Sequence, residues 1–484
     1  MPKLNKDILF LIFEELQEDS KSLFSCLMTN RFWCEIAIPI LWKNPWRYNI
    51  DYYNKNSLYS VITFYLPDDI KDFLTREEIL LPILRHPLLF DYLSFCRSFD
   101  ADILNAIISI RSLDLYNQFI LQQEIYKLLI SSKCPELKYL NIKSIKHQIF
   151  YFPKAKARLE SLCELKCDTS INSSYFYGLT RICHYIQRLI IINKKISVNH
   201  GAVKLIENQK NLKYFELKDD FENDVLIEDP YKEIFLALVK KADDLNHLKI
   251  HLQYIEFYEH TIIQNLLTKF SKLKTLIISG IYIPFSKNQL KMLTYHELEI
   301  FNIDYISFSE ASIIIENSGG YLREILLKYC DYEYIVFGNF DDSPNFIRKI
   351  YQNCPLIEYL SLLFSSKMEN FVEFENLLKV CQNLRSLLLS IPNNDKEKTG
   401  EELLEVLIRS APTNIREIRF FNDFKFSLNN LEKFFKNWKD RPALSILTSD
   451  PQYKRDDYIK LINKYKKNGV IKAFRCDFER NIYY

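Results

Sequence analysis

The chain has 484 residues, with 64 Lys and Arg against 62 Asp and Glu and a formal net charge of +2. That balance gives no general attraction to nucleic acid or an anionic membrane, and 48% hydrophobic with 26% charged residues is the composition of a folded chain, not a disordered one. The length exceeds an ordinary single domain, so several domains or one repetitive array is expected.

In residues 1–45, Ile8, Leu9, Ile12, Phe13 and Leu16 recur at helical spacing. Asp19-Ser20 supplies turn and cap chemistry before a second apolar set, Leu23, Phe24, Leu27 and Met28. Two short amphipathic helices are predicted. A piece of about 40 residues is too small for a self-sufficient core, so it is expected to bury one face against something else. The apolar run from Ile8 is followed by Glu14, Glu15, Glu18 and Asp19, which is not a secretory signal, and no apolar run approaches the ~20 residues that span a bilayer. A soluble protein of the cytoplasm or nucleus is expected, its 11 cysteines buried and reduced. Residues 46–85 are rich in aromatics (Trp46, Tyr48, Tyr52, Tyr53, Tyr59, Phe64, Tyr65) and read as a packed connector instead of a flexible linker.

From residue 86 to 484 one pattern, apolar-x-x-apolar-x-apolar, returns. It starts at Ile110, Leu137, Leu162, Ile186, Leu212, Leu245, Leu273, Leu298, Leu322, Ile357, Leu384 and Ile415, and degenerately at Ile471; Phe90 is a candidate first unit, and the unit around Leu444 is too degraded to place. The closing apolar pair alternates with polar residues, as in a strand with one buried face. Between units the period becomes helical, as at Phe235, Leu238, Val239 and Ala242, or Ile347, Ile350, Tyr351 and Cys354. A strand-helix unit cannot bury its apolar face alone, so stacking must make the core. The expected fold is α/β: an N-terminal helical module followed by a leucine-rich-repeat solenoid, with parallel strands on the concave face and helices on the convex face. In leucine-rich repeats an Asn or Cys commonly sits three positions after the last apolar residue and satisfies the turn; only Cys330 fits here, Ser365 and Asp423 could partly substitute, and Ile145, Ile281 and Pro392 cannot, so an irregular arc is expected.

Catalytic and cofactor chemistry leave no mark. The chain has 8 glycines and no phosphate-cradling glycine loop, no Gly-x-Ser-x-Gly and no His-Glu-x-x-His. His247 and His251 flank Lys249 on one strand face, where the lysine would repel a metal ion. Lys460, Lys464, Lys466, Lys467, Lys472 and Arg475 form a basic C-terminal stretch that Asp456, Asp457, Asp477 and Glu479 dilute, which reads as a solvated cap and not an RNA surface. No cofactor or metal is expected.

The first 42 residues, Leu4-Asn5-Lys6-Asp7-Ile8-Leu9, Ile12-Phe13, Leu16, Leu23, Ser25-Cys26-Leu27, Asn30-Arg31, Trp33 and Pro39-Ile40-Leu41-Trp42, resemble the F-box. That motif usually opens Leu-Pro, whereas Asn5 follows Leu4 here, so no proline sets the first helical turn. With the repeats, the chain resembles an F-box leucine-rich-repeat protein. The resemblance implies a non-catalytic substrate receptor of an SCF-type ubiquitin ligase, in ubiquitin-dependent protein degradation. The F-box would hold a Skp-type adaptor, and through it a cullin, while the arc holds a target protein. Adaptor binding would fall to Leu4, Ile8, Leu9, Ile12, Phe13, Leu16, Leu23, Cys26, Leu27, Arg31 and Trp33. On the concave face, Glu216, Lys218, His247, Lys249, His251, Asn302, Asp304, Glu324 and Lys328 are expected to form a mixed-charge surface, and Leu363, Leu388 and Ile391 an exposed apolar one, for the target. A repeat scaffold without ligase activity and an RNA-binding repeat protein remain as alternatives, separated by adaptor capture and by salt-dependent nucleic-acid binding.

Overall fold

The computed structural model describes residues 5–48, 52–82, 86–109, 113–133, 136–143, 145–195, 197–221, 229–253, 261–327, 342–363, 367–390, 399–421, 424–439 and 441–476. The chain forms two compact units, Met1–Leu238 and Val239–Tyr484.

The first unit opens with three helices, α1 (Lys6–Glu15), α2 (Ser20–Leu27) and α3 (Arg31–Lys43). Asn5 stands at the N-cap of α1 without a side-chain cap bond, so the first helix starts without the aid that a proline or a capping side chain gives. The next two are capped: Asp19 accepts from Ser22 N at 3.1 Å and Asn30 from Trp33 N at 2.9 Å. Leu9, Phe13, Leu23, Cys26, Ile36, Ala37, Ile40 and Leu41 form their common core. Two further helices, α4 (Tyr52–Phe64) and α5 (Asp68–Arg76), follow, with Tyr59, Ile62 and Leu74 buried.

Five parallel strands then pair in chain order: β1 (Ser98–Asp100), β2 (Tyr139–Asn141), β3 (Glu164–Asp168), β4 (Arg188–Asn193) and β5 (Tyr214–Asp219). Leu140, Leu165, Leu189 and Phe215 stand in register on the buried face. Two sequence expectations fail at the start of the array. Tyr92–Phe95 is helical, and Leu115 opens the helix Leu115–Lys127 because Asp114 accepts from Asn117 N at 2.7 Å and caps it. The first strand is Ser98–Asp100 instead.

The helical module is joined to that strand directly. Arg97 N donates to Lys43 O at 3.0 Å, and Trp46 Nε1 donates to Ser98 O at 3.1 Å. The end of α3 therefore engages the backbone at β1, which would otherwise present unpaired groups.

Among the described residues the second unit carries nine parallel strands in chain order: β6 (His247–His251), β7 (Thr275–Ser279), β8 (Ile300–Ile303), β9 (Glu324–Ile325), β10 (Tyr359–Leu363), β11 (Ser386–Ser390), β12 (Glu417–Phe421), β13 (Leu444–Thr448) and β14 (Ile471–Cys476). Leu248, Leu276, Phe301, Ile325, Leu360, Leu387, Ile418, Ile446 and Phe474 share one register row. The strand that the sequence could not place is β13, where Leu444, Ile446 and Thr448 are buried in strict alternation. Helices alternate with the strands, among them Phe308–Glu316, Ser343–Asn353, Met368–Val380 and Thr399–Ser410. Each unit is thus α/β leucine-rich-repeat solenoid: strand, loop, helix, repeated with parallel strands.

A polar ladder closes the turns after β3, β4 and β5. Thr169 Oγ1 donates to Asn193 Oδ1 at 3.0 Å, Asn193 Nδ2 donates to Asp219 Oδ1 at 3.1 Å, and Tyr231 OH donates to Asp219 Oδ2 at 2.6 Å. These groups stand two residues after the last apolar residue, not three; Cys330, Ser365, Pro392 and Asp423 lie outside the described residues. The nine described cysteines are free, and those at 26, 96, 167, 183, 354 and 381 are buried.

Candidate functional site

Ile8 to Phe13 are six consecutive apolar residues on α1, and a helix turning about 100° per residue cannot aim all six inward. Leu9 and Phe13, one turn apart, go into the core, and Phe13 packs edge-on against Trp33 with ring centroids 5.3 Å apart. Ile8, Leu11 and Ile12, at i, i+3 and i+4, are left outside, and Leu11 is 63% exposed. On α2, Phe24 and Met28, again one turn apart, are exposed, Met28 to 87%. Phe10 and Phe32 are exposed as well. Among its described residues, a module whose own core is complete thus carries seven large apolar side chains in water.

This sorts the residues singled out from the sequence. Leu9, Phe13, Leu23 and Cys26 are core; Leu16, Leu27 and Trp33 are partly buried against it. Ile8, Ile12 and Arg31 are outside, with Arg31 Nε 3.2 Å from Glu35 Oε1. Leu4 lies outside the described residues. The adaptor-binding set named from the sequence left out the exposed Phe10, Leu11, Phe24, Met28 and Phe32, although the unbroken apolar run on a helix already signalled an outer apolar face.

On the sheet side, the open face of the first unit begins with one register row, Tyr139, Glu164, Arg188 and Tyr214. Arg188 Nε lies 3.5 Å from Glu164 Oε2, its guanidinium carbon lies 3.7 Å from the Tyr214 ring centroid, and Tyr214 OH donates to Glu216 Oε2 at 2.5 Å. Where this row meets the helical module there is a cleft of about 230 Å³ lined by Gln17, Ile40, Lys43, Asn44, Arg47, Tyr48, Tyr139 and Glu164. Burial pushes the Glu164 carboxyl above its ordinary range, against the pull of Arg188, Arg47 and Lys166.

Most polar open-face residues named from the sequence bond sideways to the next strand. His247 Nδ1 is 3.0 Å from Thr275 Oγ1 and His251 Nδ1 is 2.7 Å from Ser279 Oγ. Asn302 donates to Glu324 Oε1 at 2.6 Å and accepts from Leu326 N at 2.9 Å, while Asp304 accepts from Gly280 N at 3.1 Å. Lys218 is exposed, Lys249 is half-buried, and Lys328 lies outside the described residues. The expected exposed apolar patch needs correcting. Leu363 and Leu388 are 3% and 5% exposed, and Leu388 packs with Phe421 in a small cluster separate from the main core. Parallel strands set the Leu363, Ser390 and Phe421 row beside the Ser361, Leu388 and Arg419 row, so these side chains cover one another. Ile391 lies outside the described residues.

Among the described residues no group of three or more His, Cys, Asp and Glu is placed to hold a metal ion, and no helix is long and apolar enough to cross a membrane. In the basic C-terminal helix, Lys464 pairs with Glu432 at 2.8 Å.

No protein-family model and no curated protein sequence matches the chain. Among solved structures it is similar to a chain of the Rad7 and Elc1 complex in yeast, at 14% identity over 77% of this chain and 90% of that one, with a TM-score of 0.39. It is also similar to the leucine-rich repeat-containing protein LegL7 from Legionella pneumophila (14% identity, 69% and 89% covered, TM-score 0.30). A third likeness is to a chain of the TLR13–ssRNA13 complex (14% identity, 72% and 61% covered, TM-score 0.31).

Proposed function

We propose that this protein is the substrate receptor of an SCF-type ubiquitin ligase, with residues 1–45 as an F-box that binds a Skp-type adaptor and the sheet of residues 86–484 as the surface that binds a target protein. The observation that carries this reading is the uncovered apolar surface of a finished helical module: Ile8, Phe10, Leu11 and Ile12 on α1, Phe24 and Met28 on α2, and Phe32 at the start of α3. Large apolar side chains left exposed in such number are costly in water and support a place where another protein packs.

The mechanism asks for no bond chemistry from this chain. The bonds from Lys43 and Trp46 to the backbone at β1 hold the module against the first repeats, so a target on the open face of the first unit stays at a fixed place relative to the adaptor. Holding a target lysine near a ubiquitin-loaded enzyme raises its effective concentration, and that is the receptor's contribution to transfer. Ubiquitin transfer itself belongs to other subunits. Co-expression of the full chain with a Skp-type adaptor tests the reading: an equimolar complex on gel filtration is expected, and two separate peaks would reject the adaptor assignment.

A further inference from the structure

The cleft between the helical module and β2–β3 has a chemistry of its own. Its lining holds two cations, Lys43 and Arg47, and one carboxylate, Glu164. Arg188, beside Glu164 on its own row, and Lys166, on the next open-face row, add two further cations that act on the same carboxylate. Lys43 and Arg47 are held only at the surface, Lys43 by Glu14 at 3.6 Å and Arg47 by Glu18, with all four side chains well exposed. Ion pairs of that kind are worth about 0–1 kcal/mol, so an incoming carboxylate can replace Glu14 or Glu18 at little cost. Tyr48 and Tyr139 add aromatic walls, and Arg188 is already ordered over Tyr214. Tyrosine and arginine held in place are the residue types that anchor protein interfaces.

Size and charge pattern narrow the occupant. A volume of about 230 Å³ is below the ~300–1,000 Å³ of small-molecule sites and suits one or two side chains. A nucleic-acid strand needs a continuous basic track, but Glu164 and Glu216 interrupt this one. We propose that the cleft anchors an acidic segment of a target protein, whose carboxylates pair with Lys43, Arg47 and Arg188 between the walls of Tyr48 and Tyr139. The proposal rests on the target-receptor reading above and supplies the chemistry of the segment that reading leaves unnamed.

The test uses the full chain and a fluorescein-labelled octapeptide of alternating Glu and Tyr, compared by anisotropy with versions carrying Gln or Lys in place of Glu. The Glu peptide is expected to bind at least tenfold more tightly than the Gln peptide, and the Lys peptide more weakly still. Arg47→Glu combined with Arg188→Glu should erase the preference, Arg188→Gln should weaken it while sparing the fold, and Lys454→Glu, an exposed charge in the second unit, should leave it intact. Equal binding of the Glu and Gln peptides overturns the proposal. So does a preference that survives the double charge reversal or falls equally with Lys454→Glu, and so does displacement of the Glu peptide by a decauridylate at lower concentration than by unlabelled peptide. Adaptor capture is measured on the same preparations. A Glu preference without adaptor capture supports the cleft and removes the adaptor half of the proposed function; adaptor capture without a Glu preference overturns the cleft alone.

Discussion

Trp46 is the side chain that ties the helical module to the sheet, and replacing it measures how firm the joint is. It is 5% exposed, and the carbonyl it bonds belongs to Ser98, which is 2% exposed. Trp46→Phe keeps most of the ring and removes the Nε1 donor; a buried acceptor left without its partner costs about 1–3 kcal/mol. The Cys96 thiol, 3.1 Å from the same Ser98 oxygen, still donates weakly, so the lower end, about 1 kcal/mol, is expected. Trp46→Ala adds a cavity, for a total of about 3–5 kcal/mol. The joint opens locally, so amide exchange reads it best, at Arg97 N, which donates to Lys43 O at 3.0 Å. Its protection should fall about fivefold in Trp46→Phe and more than about a hundredfold in Trp46→Ala, with amides of β10–β12 unchanged. Wild-type protection of Arg97 in Trp46→Ala would refute the argument that this indole fixes the module.

Three further outcomes are expected. Asn193→Ala leaves Thr169 and Asp219 short of a buried partner and should cost about 2–4 kcal/mol in urea unfolding of the first unit; a change below about 0.5 kcal/mol would show that the ladder carries no weight. Leu388→Ser should destabilise the second unit by at least about 2 kcal/mol, because the side chain is buried with Phe421, whereas an unchanged melt would return it to the exposed surface that the sequence suggested. Arg409, Lys379 and Ser410 hold the Glu375 carboxyl down to about 2 from its ordinary 4.5. A depressed carboxyl stabilises the fold above its ordinary value and loses that contribution as pH falls toward the folded one, so Glu375→Gln should flatten the loss of stability between about pH 4.5 and 2. Solvent screening of the exposed Arg409 keeps the effect below about 1 kcal/mol, and an unchanged acid titration would rule it out.

The repeat was legible because its register is periodic: apart from Ile446, the buried row from Leu248 to Phe474 is the apolar ladder read directly from the sequence. It misled at the start of the array, where Asp114 turns an apparent strand at Leu113–Leu115 into a helix, a cap outweighing a pattern. The helical module was legible as helices but not as faces. Telling Leu9 from Ile8, or Phe13 from Ile12, takes the position of α3, which local spacing does not contain. The open face was least legible, since what Asn302, His247 or Asp304 does depends on partners 22 to 28 residues away. The cleft combines residues from Gln17 to Tyr48 with Tyr139 and Glu164, a juxtaposition made where the end of α3 bonds to the backbone at β1 and absent from local spacing.

The central claim is that the uncovered face of α1 binds an adaptor, and its most direct test is a calorimetric titration of Skp-type adaptor into wild type and into Ile8→Asp with Leu11→Asp. Both side chains lie outside the module's core, so the melting temperature should stay within about 2 °C of wild type, while removing two interface anchors of about 2 kcal/mol or more each should weaken binding by at least about a hundredfold. Phe13→Ala is the contrasting control: it should lower the melt of the module, because Phe13 is 1% exposed in its core. Wild-type adaptor affinity in the folded double variant, or no adaptor binding by the wild-type chain, would contradict the account.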